Sequence, residues 1–291
     1  MIKQVIYTVL MFVVLTSCTK YIDFSPKYEG DKMVVNGFIS TSEGVKIKLT
    51  HSINPVGKYL YADSLLVEDA VVTLYENGEK LVEIAYSGKG FYCFPNAKEL
   101  NISEGKKYKL IVQSTLYGKV ESEEITIPQN PIVENLSFEQ TGIMDGLLSF
   151  TIKEPNNLDS YFFIELIGPK SMYYYYFKEY KNDEGNFYFE SCKASVGHQD
   201  HIFLYSNYCG FTNTLHQYLI QTKSYDGTFY NDMVVNLGTI GQEFYEYAKS
   251  YNDLYGLEYG FAEPPILKSN IIGGYGLFYA RNSITYPIPK P

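Results

Sequence analysis

The chain has 291 residues, with 24 basic and 33 acidic side chains and a net charge of −9 at pH 7. Length alone allows one large or two ordinary domains, and 45% hydrophobic residues excludes a disordered chain. Arg281 is the lone arginine, and the acidic balance argues against nucleic-acid partners, whose phosphates call for clustered basic side chains.

The first residues read as a targeting segment. Lys3 gives a short positive start, and Val5–Leu15 is an almost unbroken apolar run. A membrane-spanning helix needs roughly 20 apolar residues, so this run suits the apolar core of a secretory signal peptide instead. It ends in Leu15-Thr16-Ser17-Cys18, which resembles a bacterial lipobox. On that reading residues 1–17 are removed and Cys18 carries the acyl chains, palmitate among them. The competing reading is an ordinary signal peptide with Cys18 incidental. Two or three acyl chains hold a protein essentially permanently, since each buried methylene contributes about 0.8 kcal/mol. Residues 18–31 show no periodicity and read as a tether reaching at most about 45 Å at roughly 3.4 Å per residue.

From Lys32 the pattern turns to short strands. Met33–Ile39 reads as a strand with a bulge at Gly37, and Val45, Ile47 and Leu49 alternate onto one face. Ala70–Tyr75 and Lys80–Tyr86 flank Asn77-Gly78, a strong hairpin signal. Phe91–Phe94, Tyr108–Gln113 and Lys119–Ile127 follow. So many short strands favour a sandwich of the immunoglobulin or transthyretin type over residues 32–127. Pro128-Gln129-Asn130-Pro131 breaks any strand and marks a boundary.

Residues 132–291 read as a second β-rich domain with one amphipathic helix, so the fold class is mainly β. Leu147–Ile152, Tyr161–Ile167, Met172–Tyr180, Asn186–Cys192 and Tyr218–Tyr225 are rich in aromatic and β-branched residues, with Asn182–Gly185 as a hairpin tip. In Gln242–Tyr255 the apolar positions Phe244, Tyr247, Ala248, Tyr251, Leu254 and Tyr255 fall on one helical face. Thr239 and Gln242 suit a capping box and Gly256 a stop. Pro264-Pro265 forces an extended exit. Gly273, Gly274 and Gly276 then lead into Leu277–Ala280, read as a glycine-kinked closing strand.

Few groups suggest chemistry. No nucleophile elbow, zincin, Walker, EF-hand or C-x-x-C pattern occurs. His198-Gln199-Asp200-His201 has metal-ligand types, but it follows Gly197 in a loop-like stretch, so no metal or other cofactor is expected. His51 and His216 read as structural or exposed. Cys192 and Cys209 suit a disulfide in an oxidising envelope, and Cys93 reads as a buried apolar residue. Tyr173, Tyr174, Tyr175 and Tyr176 are the most unusual run. In a strand, Tyr173 and Tyr175 share one face and Tyr174 and Tyr176 the other, which offers an interface unless both faces are covered.

The lipobox, Val34–Ile39, Ala70–Gly78, Ile127-Pro128, Phe244–Tyr247, Phe261–Ile266 and Gly273–Phe278 follow in an order that resembles the Bacteroidota lipoproteins known as domain of unknown function 4249. That resemblance implies an outer-membrane lipoprotein working beside a TonB-dependent receptor, and it supplies no catalytic residues. The expectation is therefore a non-enzymatic accessory or ligand-binding partner, lipid-anchored on either side of the outer membrane. The alternative is a structural surface protein such as an adhesin or a fimbria-like subunit. A hydrolase built on dispersed carboxylates such as Glu258 and Glu263 is the weakest reading.

Overall fold

Alternating apolar residues need a partner surface on one side only, and this chain meets that need by stacking sheets. The structure is a computed structural model that describes residues 28–54, 61–142, 145–153, 160–167, 174–179, 193–195, 202–206, 212, 215–223, 233–255 and 267–288. Its elements in order are β1 (Met33–Ser40), β2 (Gly44–His51), a 3-10 turn η1 (Ala62–Leu65), β3 (Val71–Glu76), β4 (Glu79–Ile84), β5 (Tyr86–Gly88), β6 (Phe91–Phe94), β7 (Lys107–Ser114), β8 (Gly118–Ser122) and β9 (Ile125–Thr126). Then come β10 (Val133–Gln140), β11 (Asp145–Ile152), β12 (Tyr161–Ile167), β13 (Tyr174–Glu179), β14 (Lys193–Ser195), β15 (Ile202–Ser206), β16 (Leu215–Lys223), β17 (Val234–Ile240), α1 (Gln242–Tyr255), β18 (Ile271–Ile272) and β19 (Tyr275–Pro287). The fold is mainly β with one long helix, as the sequence indicates.

One nine-stranded sheet runs β14-β15-β12-β17-β19-β1-β2-β6-β5. A six-stranded sheet, β18-β8-β7-β3-β4 with β9 on β7, shares a core with β1, β2 and β6. Val35, Ile47, Leu74, Tyr108 and Leu110 lie in that core, each almost fully buried. A four-stranded sheet, β10-β11-β16-β13, shares a separate core with β12 and β17, built around Phe150, Phe162, Ile164, Tyr218 and Leu237. Two sandwiches therefore share one long sheet, which draws strands from both sides of the Pro128–Pro131 segment.

The opposite face of β12 is also buried. Tyr161 and Phe163 meet Tyr245 and Ala248 of α1, while Phe162, Ile164 and Leu166 point to the other core. The helix does pack on the sheet, but its buried face is turned from the sequence-derived stripe to centre on Tyr245 and Ala248. The expected capping box does not form. Thr239 Oγ1 donates to Gln129 O, and Phe244 N donates to Gly241 O at 3.2 Å. Gly256 lies outside the described residues.

β19 joins the sandwiches. Over Tyr275–Arg281 it pairs with β1 in parallel, and over Arg281–Pro287 it pairs with β17 antiparallel. Where β17 is not yet alongside, side chains complete the ladder. Asn270 Nδ2 donates to Phe278 O at 2.7 Å, and Phe278 N donates to Asn270 Oδ1 at 3.0 Å. Two residues on, Ala280 N donates to Glu243 Oε1 at 3.1 Å and Gly241 N donates to Ala280 O at 2.9 Å. Unpaired backbone groups at this depth would each cost about 1–3 kcal/mol. The closing strand is thus far longer than the expected Leu277–Ala280, at 13 residues. Nor is there a bulge at Gly37. Both pairings of β1 run through it in register, and a Cβ there would lie 2.8 Å from Ile47 Cγ1.

Burial pushes the Glu243 carboxyl above its ordinary 4.5. The folded chain then holds this proton more tightly than the unfolded chain does. Its contribution to stability is fully present below the unfolded value and is lost as pH rises through the folded one. Glu243→Gln keeps the acceptor oxygen without the charge, so its stability should fall less between about pH 4 and about pH 8 than that of the parent. Urea midpoints across that window test this; parallel pH profiles for the two proteins would refute it.

Among the described residues no helix is long and apolar enough to cross a membrane.

Candidate binding surface at the Met33–His51 end

The first sandwich has two ends, because β1 and β2 pair from Met33 beside His51 to Ser40 beside Gly44. At the first of these the chain comes in at Asp31. Ser52 N donates to Lys32 O at 2.8 Å, and Lys32 N donates to Ser52 Oγ at 3.0 Å, which fastens the incoming segment to the end of β2. His51 is buried here and stacks on Tyr117, ring centroids 4.8 Å apart. Its Nδ1 lies 2.9 Å from Ser52 O and 3.7 Å from Asp31 Oδ2, and its Nε2 lies 3.2 Å from Ser64 O. Ser64 presents its carbonyl to the ring, while its hydroxyl donates to Tyr61 O at 2.7 Å. This His, Asp and Ser grouping therefore fastens η1 to β2 and is not arranged as a nucleophilic triad.

Beside it, Asp69 organises the β7–β8 turn. Its carboxylate accepts from the Ser114 and Thr115 hydroxyls and from Thr115 N. The Thr115 hydroxyl bond, opposed by partial burial and aided by the Ser114 hydroxyl, holds the Asp69 carboxyl below its usual range. Ser114 Oγ in turn accepts from Leu116 N at 3.1 Å and Tyr117 N at 3.2 Å. The turn backbone is satisfied, yet Leu116 at its tip is 77% exposed. Burial, with Asp31 and Asp69 nearby, raises the Tyr117 hydroxyl.

Tyr61 also stands at this end, and Ile272 and Tyr275 lie near it on opposite outer faces of the sandwich. Tyr61 leads into η1 and is 83% exposed. Ile272 on β18 is 54% exposed, and Tyr275 at the start of β19 is 47% exposed with Lys32 Nζ 5.3 Å from its ring centre. Val34 pairs with Tyr275, which brings this turn beside the start of β1. Their common end is set only through folding. The signal in sequence was slight: an apolar residue inside the turn Thr115–Gly118.

Apart from His51, which is structural as read, the residues singled out from sequence fall elsewhere. Cys18, Cys192, Cys209 and Tyr173 lie outside the described residues, as do His198, Asp200, His201, Glu258 and Glu263. Tyr174, Tyr175 and Tyr176 lie on β13, opposite Lys223, Thr222 and Gln221 of β16. β13 ends the four-stranded sheet among the described residues. His216 is buried on β16 beside the Phe150 ring, centroids 5.4 Å apart. Cys93, read as buried, is a free thiol of intermediate exposure on β6, because alternation places Tyr92 inward instead. Among the described residues no group of three or more His, Cys, Asp or Glu is placed to hold a metal.

The model of the family described as "Domain of unknown function (DUF4249)" matches residues 19–286. The chain belongs to this family. No curated protein matches it. Solved structures similar to this DUF4249 chain include the FN1–FN3 domains of chicken CNTN1, at 12% identity, 88% of this chain, 66% of that chain and a TM-score of 0.25. Another is BcpA, the major pilin subunit of Bacillus cereus, at 10% identity, 73% of this chain, 64% of that chain and a TM-score of 0.24. The matched stretch thus spans under two thirds of each of those chains.

Proposed function

We propose that the protein is a lipoprotein of the outer membrane, anchored through Cys18, that acts without catalysis as a binding partner of a TonB-dependent receptor or of that receptor's ligand. The observation that carries the reading is Leu15-Thr16-Ser17-Cys18 placed after an apolar run and ahead of a short segment that leads into β1. The mechanism is tethered binding. Anchoring confines the two sandwiches to a thin layer beside the receptor, which raises their effective concentration there without any added contact. The family resemblance, which implies a place beside such a receptor, supports the partner class. The hydrogen-bonded commitments of His51, Asp69 and Glu243 support a scaffold over an active site.

Cys18→Ala is expected to move the protein from the membrane pellet to the soluble fraction and to abolish incorporation of a clickable palmitate analogue. Retention of the variant in the pellet, or an unlabelled parent protein, would sink the anchor. For the partner, affinity capture of the full chain from membranes in mild detergent should recover a stoichiometric TonB-dependent receptor.

The second reading is a structural surface subunit. It is favoured by β13, a six-residue strand carrying Tyr174–Tyr176 that ends its sheet among the described residues, since such an edge suits pairing between chains. Polymers of the purified protein, with no receptor captured, would select it.

A further inference from the structure

We infer that the Met33–His51 end of the first sandwich rests on the phospholipid interface, with Leu116 and Tyr61 as its points of contact. This deepens the anchored reading above and depends on it. Two side chains of the kind that enter the headgroup layer, Leu116 and Tyr61, stand out from this end of the fold, at 77% and 83% exposure. Tyrosine suits that layer because its ring is apolar and its tip polar, and leucine contributes apolar area. The segment that would carry the acyl chains comes in at the same end, at Asp31, beside His51. From Cys18 to Asp31 that segment reaches at most about 45 Å. A flexible segment of that length averages about 20 Å end to end, so the end of the fold that it joins stays nearer the bilayer than the opposite one.

The tips are also held ready. Asp69 and Ser114 fix the turn behind Leu116, and the Ser64 hydroxyl and amide both bond Tyr61 O. Little further ordering is needed on contact, so little entropy opposes it. The Ser40–Gly44 end of the same hairpin lies about 25 Å away along an eight-residue strand, and there β19 crosses to the second sandwich. The second sandwich is then held off the bilayer.

The chain contains no Trp, so a single introduced Trp reports its own surroundings. The test uses the lipidated full chain as Leu116→Trp, Tyr61→Trp and, in the second sandwich, Leu215→Trp, whose parent residue is also exposed. Each is bound to phosphatidylethanolamine–phosphatidylglycerol vesicles with or without brominated acyl chains. Emission at 116 and 61 should shift to the blue and fall roughly twofold with brominated lipid, while 215 stays unchanged, as expected for side chains at headgroup depth. If the protein floats with the vesicles but 116 and 61 are quenched no more than 215, the orientation is wrong while the anchor stands. That result leaves this end for a protein partner. If the protein does not float, the anchor fails and the orientation falls with it.

Discussion

Gly276→Ala should destabilise the protein by about 3 kcal/mol or more, with the chevron or equilibrium midpoint moving accordingly. Two costs coincide at this position. The backbone adopts φ +109, and a Cβ would stand 2.0 Å from Val35 O. Val35 and Gly276 are register partners in the parallel pair of β1 and β19, so the collision cannot be relieved by turning a side chain. Either the strands separate or the ladder loses its bonds. Gly273→Ala is the control, because it has φ +83 but its nearest neighbour, Lys119 O, is 3.3 Å away. That change should cost only about 1–2 kcal/mol, the strain of the backbone alone. Denaturant unfolding of both variants checks the difference; equal midpoints would mean that the close approach of β1 and β19 is not as described.

Asn282→Leu is expected to cost about 3 kcal/mol, through three hydrogen bonds at a site with 0% exposure. Asn282 Oδ1 accepts from Thr41 N at 3.2 Å and from Thr41 Oγ1 at 2.7 Å, while Nδ2 donates to Pro128 O at 2.5 Å. Leucine matches the volume poorly and leaves an amide and a carbonyl without partners. Asn282→Asp should be no milder, since it sets a carboxylate against the Pro128 carbonyl. Thr41→Val removes one hydroxyl bond and should cost only about 1 kcal/mol. Thermal or urea unfolding orders the three. If Asn282→Leu proves neutral, the connection between the sandwiches does not depend on this side chain.

Much of the first sandwich was legible because its alternation is clean. Val45, Ile47 and Leu49 are buried as the pattern requires, and Asn77-Gly78 turns with both residues at positive φ. β10 was not legible, for a physical reason. Its register shifts between Glu134 and Ser137, so Val133, Leu136 and Phe138 all pack on the core without a period of two. β17 was hidden differently. It has the second core on one side and, at Ile240, the helix cluster on the other, which removes the alternation that marks a half-exposed strand. The turn of α1 could not be read either, since tyrosines lie all round it and only packing against Tyr161 and Tyr279 chooses among them. As for the candidate surface, sequence offered the tyrosine run of β13, whereas η1 and the β7–β8 turn meet at one end only through His51, which touches Ser64 and Tyr117. The family motifs were legible because they are local strings that need no fold to be seen.

The path of β19 also governs the order in which the molecule is completed. Phe278 and Ala280 belong to the core of the first sandwich, and Thr41 waits for a partner 241 positions further on. A chain threaded through a membrane N-terminus first would present the β1–β2 hairpin long before its closing strand exists. Until then one flank of β1 is an open edge, able to accept a strand from another molecule. The last stretch of the chain is thus a late-arriving clasp, and a nascent form halted before residue 275 would need an escort to stay single.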